Sequence, residues 1–195
     1  MNKQAPNTLT AVLAIALLLS IAATTYSIGR MSAIVPFTGA ATTTPTGVAN
    51  VTVPSKTYIS LPVQYIDFGE LDVGLSNDTS DNSPPPFVLQ NDGTVNVNVT
   101  IGATDMFSGT GGANPSLYYQ FKSNENEAGS VLNTTTDLIT AYTYMPATGS
   151  PAKVVSRLRF PTAYDSVKVH INVTVPLDEA AGGKTSTVTF TATQA

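Results

Sequence analysis

Apolar and polar positions follow two different rhythms along this chain, and the change from one to the other divides it. From Leu9 to Ile28 the run is apolar, interrupted only by Thr and Ser, with Lys3 before it and Arg30 as the next charge. A segment apolar on every side suits insertion into a membrane better than the flank of a globular core. Residues 1–30 therefore read as a signal peptide or membrane anchor. Leu9 to Ile21 would serve as the hydrophobic region of a secretory signal, with cleavage after Ala23 or Ser27; uncut, the run is long enough to span. A pilin-type cut at Gln4-Ala5 is opposed by Pro6, which follows immediately.

Residues 31–47 contain one short apolar patch, Ala33 to Phe37, then an uncharged Thr/Pro/Gly stretch, the composition of an extended linker. From Val48 the rhythm becomes period two, the signature of a strand with one face buried. Val95, Val97, Val99 and Ile101 alternate with Asn96, Asn98 and Thr100. Val167, Val169, Ile171, Val173 and Val175 alternate with Lys168, His170, Asn172 and Thr174, which places His170 outward as a solvated residue. Ser186, Val188, Phe190 and Ala192 alternate with Thr185, Thr187, Thr189 and Thr191. Shorter strands are expected at Val48–Val53, Thr57–Ile66, Phe87–Gln90, Ser116–Lys122, Leu138–Tyr144 and Val154–Phe160. Turn residues punctuate them at Asn91-Asp92-Gly93, Gly109–Pro115, Pro146–Pro151 and Ala181-Gly182-Gly183. Seven to nine such strands predict an all-β, antiparallel β-sandwich over residues 48–195, preceded by an N-terminal hydrophobic helix.

Ile66-Asp67-Phe68-Gly69-Glu70-Leu71-Asp72-Val73-Gly74, followed by Phe87-Val88-Leu89-Gln90-Asn91-Asp92-Gly93-Thr94 and a Val/Asn strand, resembles the layout of immunoglobulin-like surface modules. It also resembles TasA-like fibre proteins and archaeal bundling-pilus or thread subunits, closely over about thirty residues and elsewhere only in outline. The resemblance implies an immunoglobulin-like or jelly-roll sandwich that polymerises by lending an N-terminal strand to its neighbour.

Charge and chemistry narrow the function further. Of nine Lys and Arg, seven lie beyond Arg30, against thirteen Asp and Glu, so nucleic acid gains little electrostatically from this surface. There is no cysteine, which removes disulfides and thiolate metal sites. For an exported chain this leans towards a bacterial or archaeal cell surface. With one histidine and no S-x-x-K or G-x-S-x-G pattern, nucleophilic catalysis lacks its parts. No enzyme, metal or other cofactor is expected. Asp72, Asn77, Asp78 and Asp81 could offer oxygen ligands to calcium, but their spacing is not that of an EF-hand, and a solvated acidic loop is the simpler reading. Tyr118, Tyr119, Tyr142 and Tyr144 could stack on a sugar or pack as strand residues. Asp178-Glu179 reads as a polar turn.

Five N-x-T sequons, at Asn50, Asn77, Asn98, Asn133 and Asn172, lie on expected polar strand faces or loops and are candidate glycosylation sites. Two apolar segments are candidate donor strands for the open sheet edge of another copy: Ala33, Ile34, Val35, Pro36 and Phe37, or Val48, Val51 and Val53. Val48–Val53 reads equally well as the sandwich's own first strand. The expectation is an exported subunit of an extracellular, cell-surface filament that associates with itself; the alternative is a membrane-anchored monomer that holds another surface protein or a glycan.

Overall fold

The computed structural model describes residues 12–21 and 49–195. Residues 12–21 are helical and exposed, and no helix among the described residues is long and apolar enough to cross a membrane. The remainder of the expected signal or anchor (1–11 and 22–30), the linker (31–47), and the donor candidates Ala33 to Phe37 and Val48 lie outside the described residues.

The chain from residue 51 onward forms nine strands: β1 (Ile59–Val63), β2 (Ser76–Asp78), β3 (Phe87–Asn91), β4 (Val97–Ala103), β5 (Tyr119–Glu125), β6 (Thr143–Tyr144), β7 (Ala152–Leu158), β8 (Ser166–Thr174) and β9 (Val188–Gln194). They make two antiparallel sheets. The larger runs β1-β3-β8-β5-β6, with β2 also paired to β8; the smaller runs β7-β4-β9. The core lies between them and uses the inward rows that the alternation marks. Val97, Val99 and Ile101 of β4 face Leu89 of β3, Phe121 of β5 and Val167, Val169 and Ile171 of β8, and all are at most 2% exposed. Burying each such side chain contributes about 1.5–3 kcal/mol.

Three departures from simple alternation have identifiable causes. Strands β2 and β3 occupy the same side of β8, separated by an excursion through residues 79–86. Thr79 keeps the ladder closed at that break: its N–H donates to Ile171 O (3.0 Å), and its Oγ1 accepts from Ile171 N (3.0 Å). Second, the register between β4 and β7 slips between Val97 and Val99 and again between Val99 and Thr100. Arg157, at φ +52°, carries the extra residue, as in a β-bulge. The second slip, between the pairs Val99↔Val155 and Thr100↔Lys153, makes Val154 the extra residue and leaves Val154 and Val155 both fully buried. Third, the expected strand at Val48–Val53 is absent from the described residues 49–53, which are irregular and exposed. Val51 and Val53 are 89% and 70% exposed, so this stretch is not the first strand of its own sandwich.

Candidate functional site

The smaller sheet has two edges, β7 and β9, and among the described residues no strand adds to β9. Among the described residues β9 pairs only with β4, in continuous register from Val97↔Gln194 to Ala103↔Val188. Thr189, Thr191 and Thr193 point outward; Val188, Phe190 and Ala192 point inward but are only half-buried, because nothing described packs on their far side. Below them lies a cleft of about 1010 Å³, walled by Leu61 of β1, by Ile66, Phe68 and Leu71 of the chain after β1, and by Val188 and Phe190. Its floor is an edge-to-face pair, Phe87 and Phe190, with ring centroids 5.8 Å apart at 77°. Polar side chains, among them Gln64, Glu70 and Lys184, share the lining with this apolar wall. An open backbone edge beside a partly apolar trough is the arrangement to which an extended peptide adds as a further strand.

The loop leading into β9 is latched in place. Glu179 accepts from Ser108 N (2.9 Å), Ser108 Oγ (2.9 Å) and Gly109 N (2.6 Å), and forms an ion pair with Lys184. The Lys184 ammonium, followed by the Gly109 and Ser108 donors, holds the Glu179 carboxyl at about 2. Asp178 beside it accepts from Thr110 N and Oγ1, which lowers its own pKa. A side chain at Gly109 would displace Asp178 from its bonds to Thr110, since a Cβ would sit 2.7 Å from Asp178 Oδ1. The expected simple turn at Asp178-Glu179 is therefore an anchor with a buried acid.

A second device holds the chain where it enters the sandwich. Thr94 Oγ1 donates to Pro54 O (2.8 Å) and accepts from Lys56 N (2.8 Å), while Thr94 N donates to Lys56 O (2.9 Å). Lys56 O lies 2.3 Å from where a Cβ on Gly93 would stand, so only glycine admits this approach. The Asn91-Asp92-Gly93-Thr94 turn thus fixes the base of the N-terminal segment. Asn91 supports it from below: its Oδ1 accepts from Gly93 N and its Nδ2 donates to Val95 O and Leu158 O. The turn was legible in sequence; its grip on residues 54–56 was not.

Other candidate residues scatter. His170 is not a solvated residue: it is 5% exposed, covered by Thr79, whose O and Oγ1 lie 3.0 and 3.2 Å from His170 Nδ1. Burial depresses its pKa, and Lys122 and Lys168 add to that. The excursion after β2 is what covers it. Asp78 and Asp81 accept from Ser80 N and Ser83 N and close local turns, and no group of three or more metal-ligating residues occurs among the described residues. Tyr119 is core, while Tyr142 bonds Ser80 through its hydroxyl and lies under Lys122 Nζ (4.4 Å to the ring centre).

Among the sequons, Asn50 and Asn133 are exposed and Asn77, Asn98 and Asn172 half-buried. Asn133 caps the one-turn helix Thr134–Asp137 through Oδ1. Asn98 Oδ1 accepts from Arg157 N, and Asn172 Nδ2 donates to Gln120 Oε1. Asn77 lies in β2, in register with Val173, and not in a loop.

No protein-family model, curated protein or solved structure matches the chain.

Proposed function

We propose that this chain is a structural subunit of an extracellular filament, an immunoglobulin-like sandwich completed by a strand from a second copy. The observation that carries the reading is the β9 edge, unpaired among the described residues, above a cleft of about 1010 Å³ that mixes polar side chains with an apolar wall of Leu61, Phe68, Phe87 and Phe190. A monomeric sandwich gains by covering such an edge, with a helix, a loop or charge, and β9 carries only threonines on its outer row.

The favoured occupant is Ala33 to Phe37. Its alternation places Ala33, Val35 and Phe37 on one face. Pro36 has no N–H and must point away from β9, which leaves the N–H groups of Ala33, Val35 and Phe37 to bond it. The segment precedes the clamp at Pro54 and Lys56, so it is tethered to one sandwich while free in sequence to serve another. The cell-surface location rests on residues 1–30, and no cofactor or catalytic residue enters the reading.

Deleting residues 31–53 tests it. Fibres seen by negative-stain microscopy with the parent chain should disappear. A peptide of residues 31–47 should bind the truncated sandwich and raise its stability by about 2.7 kcal/mol at a concentration of 100 times its Kd. Fibres that survive the deletion would refute the donated strand. A parent chain that stays monomeric with residues 1–30 intact would favour the membrane-anchored binding module.

A further inference from the structure

The two ends of the sandwich differ in a way that sets the polarity of assembly. Strand β8, nine residues long, runs roughly 30 Å from one end to the other. At its start, where Ser166 pairs with Gln90, lies the Asn91–Thr94 turn that clamps Pro54 and Lys56. The N-terminal segment leaves from this end, with Val51 and Val53 exposed just before the clamp.

At the other end of β8 four large apolar side chains are also exposed: Val73 (50%), Leu75 (54%), Leu117 (55%) and Leu177 (80%). The backbone brings their positions to the same end of the sandwich. Gly74 N donates to Val175 O and Val175 N to Leu75 O. Leu177 lies against Gly74, whose added Cβ would meet Leu177 Cδ2 at 3.0 Å. Leu117 lies two residues before β5, and the carbonyl of its neighbour Tyr118 accepts from Thr174 N. Val73 also borders the cleft, so the trough continues onto this end of the molecule.

We infer that this end seats the base of the donor segment, Val51 and Val53, of the next copy, so that subunits join head to tail. The inference rests on the filament reading and adds to it a second contact outside the cleft. A strand that fills the cleft of one copy while its root stays clamped at the start of β8 in another brings two opposite ends together. Both ends then cover apolar side chains that each copy alone leaves in water. The contact is heterologous, each copy using a different surface, and such contacts propagate into open filaments when the rotation does not close a ring.

The absence of cysteine makes a clean test possible. Full-length chain carrying both Val53→Cys and Leu177→Cys, oxidised after assembly, should run as a ladder of disulfide-linked multimers, whereas each single variant gives no ladder. Leu177→Asp, at an exposed position, should keep the monomer's fold by circular dichroism and raise the concentration needed for filaments about tenfold. Filaments of the double variant without a ladder, together with unaltered assembly of Leu177→Asp, would overturn the head-to-tail contact and leave the donated strand standing. Dimers from Leu177→Cys alone would also overturn it, because this end would then meet its own copy side by side. If the parent chain makes no filaments, the filament reading fails and this contact fails with it.

Discussion

The two edges of the small sheet have similar lengths and opposite treatment. On β7, Val154, Val155 and Leu158 are fully buried, and the edge is overlaid by a bridge from Leu138 to Val155 and by the one-turn helix Thr134–Asp137. Arg157 pins that helix with two bonds to Asp137 Oδ1 (3.1 and 2.7 Å), and Asp137 Oδ2 accepts from Asn133 N. On β9 the corresponding inward row is half-exposed and no described element overlies it. Among the described residues the chain therefore covers one edge and leaves the other uncovered, which is the asymmetry on which the proposed strand addition rests.

Core truncation should separate the two edges most strongly. Leu158→Ala is expected to cost about 3 kcal/mol in chemical denaturation of the truncated sandwich lacking residues 31–53. Phe190→Ala should cost that same sandwich about 1 kcal/mol, since its ring is only partly buried, and should cost filaments more than monomers. Equal losses for the two variants in the isolated sandwich would mean that the β9 flank is closed. Next in size, Asp137→Ala leaves the Arg157 guanidinium and Asn133 N without their acceptor, for about 2 kcal/mol. Hydrogen exchange should then rise along β7 and leave β9 unchanged. Thr94→Val removes the side-chain bonds to Pro54 and Lys56 and should cost about 1 kcal/mol. Its clearer sign is faster proteolysis before residue 57.

The smallest expected effect is a pH slope at the face that covers His170. Its folded pKa lies below the unfolded value of about 6.5, so the unfolded chain takes up the proton first. The neutral ring's contribution is complete above that pH and declines as pH falls below it. Denaturation midpoints between pH 7 and 5 should fall more for the parent than for His170→Gln; parallel curves would mean that Thr79 does not shield the ring.

Much of the fold was legible in the sequence because half-buried strands impose a period of two. The inward rows of β4, β8 and β9 appear where alternation places them. What alternation cannot register is insertion: the register slip at Val154 buries two consecutive valines, and the excursion 79–86 turns an outward His170 into a covered one. The candidate site was less legible. An unpaired edge is a statement about what fails to pack on Phe190, and no residue type encodes an absent neighbour. Gly93 was visible as a turn glycine, yet its closeness to Lys56 O joins positions 37 residues apart.

The Glu179 latch bears on how an incoming strand would associate. Lys184, Ser108 and Gly109 hold the loop ahead of β9 through one acid, without help from any occupant. One wall of the cleft is thus preorganised, and in the proposed assembly the entropy lost would fall mainly on the entering segment. That makes stiffness in the segment, rather than additional contacts in the cleft, the more effective route to tighter joining. It also gives Pro36 a second consequence, since a residue with φ already fixed has less freedom to lose.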